Sequence, residues 1–588
     1  MAPPGPAFLV KILPRLVYPS VLAYGCLRVL GNVWEVKIPT WVGACVVILV
    51  NPVLWTIQGV YKETQTRDKA AAAGADLPPL VPSELPWGLS HLVALRKSAK
   101  EGLLAYIFDS WAKKVGSTVY RVNLQGDVRI VTLEPDHIKA ILATRFEDFD
   151  KGPVLYDLLY SLLGSGVFNS DGEMWKFHRT MTRPFFNKEK IAHFDNFDRH
   201  ADDIIRQAKT RLAEGHPIDF QDMVSRFTLD SATEFLFGHD VNSSGAGLPY
   251  PPGAAQANSP DFLNHPSNRF VHAFAEGQDM TAMRSRTGAA WRLLEFWKDQ
   301  VKPCRDVVDD FVREILADPS RTKSDIEARE GGAEPKPRED DSLLDHLVKF
   351  TQDRNILADE IVNLLVAGRD TTAGTLTYGI YKLAQHPDIA EKLRAEILDK
   401  VGPTRRPTYD DIRDMKYLRA FLNEVLRLYP IVTANKDTLL PYKDVSRRPI
   451  FVPKGTRCLY SVYLMHRRTD LWGPDAGKFD PDRFIDNRPH KYLTHNPYIF
   501  VPFNAGPRIC LGQQFAYNEM SFFLIRLLQN FTSFTLADDA QPQESITDFR
   551  TTDTPDAELE KRVFAAHLTM YLKDGLWVRM AEAQTMEK

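Results

Sequence analysis

The sequence predicts a mainly α-helical protein with small β-sheets, held to a membrane by an N-terminal anchor. Three observations carry this reading. A helical pattern runs from about 356 to 385 and stops before Pro387. Residues 119–133, VYRVNLQGDVRIVTL, alternate apolar and polar, the pattern of a hairpin of strands. Residues 38–60 form a run of 23 without a charge, which as a helix is about 35 Å long, enough to cross a bilayer with some tilt.

The anchor admits two topologies. Asn51-Pro52 would kink the 38–60 helix without forbidding it. A second apolar stretch, 16–34, carries only Arg28. One span over 38–60, with an amphipathic segment before it, is the expectation. It leaves Lys11, Arg15, Arg28 and Lys37 across the membrane from Lys62, Arg67 and Lys69, against the positive-inside rule. A hairpin with 16–34 obeys the rule better, but only 12 uncharged residues separate Arg15 from Arg28. The expected division is an anchor over 1–62, a linker and hinge over 63–88, and a catalytic domain over 89–588. The hinge ends in LPPLVPSELPWG, whose prolines make a stiff polyproline-like connector.

Net charge is −3, from 73 basic and 76 acidic residues, so nothing electrostatic points to nucleic acid. Cys26, Cys45, Cys304, Cys458 and Cys510 are scattered without a C-x-x-C pair. That spacing speaks against a disulfide framework or a zinc site and fits a reducing compartment. Two stretches, 242–260 (Gly, Pro, Ser and Ala) and 320–341 (charged), read as mobile surface loops.

The chemistry centres on FNAGPRICLG at 503–512. A lone cysteine between glycines lets backbone N–H groups turn toward its sulfur and a flat cofactor approach closely. An arginine two residues earlier can aim its fork at a carboxylate. The segment matches F-x-x-G-x-R-x-C-x-G at Phe503, Gly506, Arg508, Cys510 and Gly512, and so resembles the haem-binding signature of cytochrome P-450 monooxygenases. The resemblance implies the cytochrome P-450 fold, with haem b between a long central helix and the cysteine loop. It makes Cys510 the axial thiolate and metal ligand, Arg508 a propionate partner and Phe503 the ring under the sulfur side.

Other motifs follow in order. Trp175 and Arg179 in WKFHR stand one turn apart and resemble the family's propionate-binding pair, with His178 nearby. AGRDTT at 367–372 matches the oxygen-side motif; by resemblance Thr371 orients a water and Asp370 feeds the proton relay. Gly and back-bonding threonines also weaken a helix locally. Glu424 and Arg427, surrounded by apolar residues, are expected to be a buried pair, and the family joins them to Arg483 in a structural clamp. Where the family often has a propionate-binding arginine after its LYP, this chain has Asp437; Lys436 is the candidate substitute, though a point charge is not a fork. Leu364, Ala367, Ile431, Val432 and Thr433 are expected along the substrate cavity, and 152–168 as one wall.

The resemblance implies oxygen insertion into an apolar substrate. The chain carries no strand–GxGxxG–helix unit, so electrons are expected from NADPH through a separate flavoprotein reductase. AGRDTTAGTL and CLGQQFAYNEMSFFLIRLLQNF resemble fungal alkane and fatty-acid hydroxylases, which implies terminal or near-terminal hydroxylation of long alkyl chains at the endoplasmic reticulum membrane, catalytic domain cytosolic. Oxidation of sterols, polycyclic aromatics or xenobiotics is the alternative. A haem-thiolate isomerase or dehydratase fits the intact Asp370-Thr371 pair less well, and a haem sensor would need only the Cys510 loop and none of the three further motifs.

Overall fold

The structure is a computed structural model. It describes residues 3–584 except 188–190, 192–193, 256–257, 318–341, 431–439, 441–446 and 551–557. Lys436, Ile431, Val432, Thr433 and the whole 320–341 stretch therefore lie outside the described residues.

Two long helices open the chain, α1 (Pro4–Val33) and α2 (Thr40–Ala72). α2 does not stop at the expected boundary near 62. KETQTRDKAAA contains good helix formers, and an i,i+4 pair between Glu63 and Arg67 (3.0 Å) carries the helix on for ten further residues. The hinge that follows is bonded along the first sheet: Val81 N–H donates to Arg121 O, and Arg121 N–H to Pro79 O.

The alternating segment forms β1 (Val119–Leu124) and β2 (Asp127–Thr132), an antiparallel hairpin in full register. Gln125 and Gly126 both have positive φ (57° and 81°), the twist a two-residue hairpin turn needs. The strand Cys458–Tyr460 adds parallel to β2. Elsewhere Trp577–Glu582 lies between Ile218–Asp219 and Phe531–Leu536, and two hairpins complete the β structure among the described residues.

The body is helical. The central helix runs from Arg354 to Gln385, interrupted by one π-turn over Val366–Asp370. Pro387 begins the next helix, because proline lacks the N–H that would continue the previous one. The central helix threads both large cores, its first half packing with Leu162, Phe185, Leu229 and Phe311 and its second with Leu422, Phe522 and Leu528.

The 242–260 stretch is not loose at its start. Ser243 and Ser244 are buried, and their N–H groups donate to the two oxygens of Asp230 at 2.6 and 2.9 Å. A polar composition does not announce a turn that folds back to cap a buried carboxylate of the preceding helix, Phe220–Phe237.

Candidate active site

The cysteine loop is shaped by backbone sterics. Asn504 and Gly506 take positive φ (59° and 60°). A Cβ on Gly506 would stand 2.1 Å from the carbonyl oxygen of Leu142, so only glycine lets these two backbones meet. Cys510 N–H closes the loop onto Phe503 O at 2.9 Å. Phe503 packs on Tyr517 (5.2 Å between ring centres), whose hydroxyl donates to Asn423 at 2.7 Å. A Cβ on Gly512 would meet Phe186 at 3.6 Å and the Cys510 sulfur at 4.0 Å.

Cys510 is exposed at the loop, yet the protein packed around its sulfur desolvates it and pushes the thiol up; a hydrogen bond from the Gly512 N–H and the nearby Arg179 charge act in the other direction. Cys458 is a different kind of residue, fully buried in the first sheet and paired with Ile130.

Beside the loop, four side chains form a stack. The Arg508 guanidinium lies over the rings of Phe146 (5.0 Å) and Trp175 (5.8 Å), and Arg179 lies on Trp175 at 6.0 Å. Arg508 donates to Asp171 at 3.0 Å, and Arg179 to the Ile509 carbonyl at 2.5 Å. The Arg508 Nε is buried without a hydrogen-bond partner. Lys151, half-buried close by, donates to the carbonyls of Val167 and Ser170, and desolvation with the Arg508 charge lowers its pKa to about 7.

His178 does not join this stack. It is fully buried, Nε2 at 2.9 Å from Ser165 O and Nδ1 at 2.9 Å from Glu360 of the central helix. Here it fastens the 163–170 segment, as do its neighbours. Asp359 accepts from Ser165 N–H, Glu360 from Val167 N–H and Asn363 from Phe168 N–H.

On the central helix Thr371 Oγ1 donates to Ala367 O at 2.7 Å across the π-turn, and Thr375 repeats this to Thr371 O. Such back-bonding loosens a helix, and π-turns gather at functional sites. Asp370 accepts from Arg369 at 2.7 Å and from Gln278 at 2.9 Å. Ala367 is half-buried, while Leu364 is buried in the core.

Behind the loop, Arg427 makes a two-bond fork onto Glu424 (2.7 Å each) and donates to His466 O and Ala476 O. Arg483 reaches the same carboxylate at 3.4 Å and Asp475 at 2.9 Å. All three are at most 1% exposed.

The structure thus groups Phe503, Gly506, Arg508, Cys510, Gly512, Trp175 and Arg179 at one place. Sequence reasoning missed Phe146, Asp171, Gln278 and Glu360. Asp171, directly before the Gly172–Thr182 helix, carried a helix-start signal; the others carried none.

These residues fit a haem on Cys510. Glycine at 512 keeps a side chain from the neighbourhood of the sulfur, the sulfur has a backbone donor, and the unpartnered Arg508 Nε with Arg179 offers cationic donors to acidic groups of a cofactor.

Residues 79–556 match the family model described as Cytochrome P450. Cytochrome P450 52E1 of Candida apicola is 36% identical over 475 residues, 77% of this chain and 85% of that protein. Cytochrome P450 52A3-A of Candida maltosa is 37% identical over 483 residues, 78% and 86% of the two chains. Cytochrome P450 monooxygenase pvhE of Talaromyces variabilis is 34% identical over 482 residues, 77% and 83%. The family match spans most of the sequence and the cysteine loop has the geometry the family's cofactor needs: the chain belongs to the cytochrome P450 family.

Proposed function

We propose that this monooxygenase hydroxylates long alkyl chains, alkanes or fatty acids, at or near the terminal carbon. It would work at the endoplasmic reticulum membrane with its catalytic domain in the cytosol, drawing electrons from an NADPH-dependent flavoprotein reductase. The observation that carries the substrate class is the resemblance of the oxygen-side and cysteine-helix segments to fungal alkane and fatty-acid hydroxylases. Relatives named cytochrome P450 52 at 33–37% identity support it. The two N-terminal helices, each with an apolar 18-residue window that is not buried in the protein, support a membrane location, where such chains dissolve.

Bound to Cys510, the haem supplies dioxygen activation, since electron donation from a thiolate favours O–O cleavage. The chain's own residues do the rest. The Gly512 N–H holds the sulfur, and Arg508 and Arg179 offer their donors to the propionates. Thr371 keeps a hydroxyl at the loosened turn, where it orients a water. Asp370, held by Arg369 and Gln278, stands next in line to supply a proton. Glu424, Arg427 and Arg483 keep the backbone behind the loop in one place.

The test is the carbon monoxide difference spectrum of the reduced protein, followed by turnover of dodecane and lauric acid with reductase and NADPH. A thiolate-type Soret band with terminal alcohol products is expected. A histidine-type band in folded protein would remove the haem-thiolate reading; a thiolate band with no alkyl product would remove only the substrate class.

A further inference from the structure

α1 and α2 lie antiparallel and are joined by polar contacts deep in their apolar stretches. Ser20 Oγ donates to Val47 O at 3.0 Å, and Asn51 Nδ2 to Leu16 O at 2.8 Å and Ser20 Oγ at 3.1 Å. In lipid such contacts hold helices together, because the alternative is an unsatisfied polar group in hydrocarbon. Gly43 adds close approach, its missing Cβ standing 3.7 Å from Leu27.

That register puts Gly5 level with Lys62, beside Glu63, and both ends are fastened to the catalytic domain. Gly5 N–H donates to Phe296 O at 2.8 Å, and a Cβ there would fall 2.2 Å from the Phe296 ring. Arg292 lies over Phe8 at 5.9 Å. On α2, Glu63 receives both arms of Arg121 at 2.9 and 3.1 Å, and Arg121 is only 7% exposed. Trp55 meets Trp87 edge-on at 6.0 Å.

We infer that residues 4–72 form a two-span hairpin in the bilayer. Its N-terminus lies on the catalytic domain's side, and the Gly5–Phe296 and Glu63–Arg121 contacts dock both of its ends on that domain. This rests on the membrane reading above and replaces the single span favoured by hydropathy. Lys11, Arg15, Lys62, Arg67 and Lys69 then share one side, leaving Arg28 and Lys37 across. The short 16–27 stretch is sufficient: its 12 residues rise about 18 Å. Arg15 reaches outward about 6 Å on its stem, while Arg28 turns back to Tyr24, its Nε donating to the hydroxyl at 2.8 Å, and local thinning of the bilayer around a short span makes up the rest. Two docks at one level fix the tilt of the domain against the lipid, and they bring the exposed Leu293, Leu294 and Trp297 to that level.

The experiment uses the full-length enzyme in sealed vesicles with the catalytic domain outside. It carries an N-terminal epitope tag and the changes Cys26→Ala, Cys45→Ala and Lys37→Cys. Protease should remove the tag from sealed vesicles, and an impermeant maleimide should label Lys37→Cys only after permeabilisation. A protected tag would overturn the topology in favour of one span, and labelling in sealed vesicles would overturn spanning by either helix. Hydrogen exchange should rise several-fold over 291–297 in Gly5→Leu and over β1 in Glu63→Gln; unchanged exchange in both would overturn the docks. Release by alkaline carbonate would instead remove the membrane reading itself.

Discussion

At Cys510, desolvation and a backbone donor compete over the charge of one sulfur, and a coordinated metal ion decides that contest outright by holding the thiolate. Cys510→Ala should therefore show no thiolate Soret band in the reduced carbon monoxide spectrum. Thr371→Ala should lower product formed per NADPH by several-fold with haem content unchanged, because the hydroxyl over the π-turn is lost; equal coupling would take Thr371 out of the relay. Glu519, nine residues past the cysteine, is fully buried; desolvation pushes its carboxyl up to about 8, while the Ser231 and Thr372 hydroxyls pull it down. The folded state keeps this proton where the unfolded chain loses it, so stability falls as pH rises from about 4.5 to about 8. Glu519→Gln should flatten that part of the profile and gain up to a few kcal/mol at pH 8, read as the thermal midpoint against pH.

Elements are fixed here by contacts at points where there is no room. Gly164 has φ of 56°, and a Cβ on it would fall 2.0 Å from the Asp359 carboxyl; on Gly166 it would meet Asn363 at 2.3 Å. These glycines let the 163–170 segment lie against the central helix and accept its row of Asp359, Glu360 and Asn363. Gly164→Ala should cost about 1–3 kcal/mol, seen in the unfolding midpoint, whereas Gly215→Ala, with positive φ but open space around it, should cost less. The clamp is an element-scale device as well. Arg427→Ala strands the Glu424 carboxylate in the core and should cost about 3–5 kcal/mol, with loss of haem retention on mild heating.

For the whole molecule, the join between anchor and domain is the point of interest. The Glu63–Arg121 pair ties the part of α2 that continues past 62 to the catalytic domain, so truncation is not neutral everywhere. A chain beginning at residue 61 keeps the pair; one beginning at 73 leaves Arg121 without its carboxylate partner. The shorter chain should be less stable by about 1–2 kcal/mol, and equal unfolding midpoints would show that the pair contributes nothing.

The features legible in the sequence were those decided within a few residues. The alternation over 119–133 announced its hairpin, Pro387 ended the central helix, and FNAGPRICLG carried both a cofactor loop and a family. The continuation of α2 to Ala72 was also written locally, in good helix formers and the Glu63–Arg67 spacing. Tertiary structure decided the partners of those residues. Asp370 is held by a glutamine 92 positions earlier. His178 turns to Glu360 although it stands only three residues after Trp175, because the Ser165 carbonyl and the Glu360 carboxylate of the central helix lie within hydrogen-bond reach on its side. Ser243 and Ser244 were composed like a loose loop and are caught by Asp230. The choice between one span and two was beyond hydropathy for the same reason. Hydropathy measures whether a helix can enter lipid; the proposed hairpin rests instead on contacts between distant segments, Gly5 with Phe296 and Glu63 with Arg121.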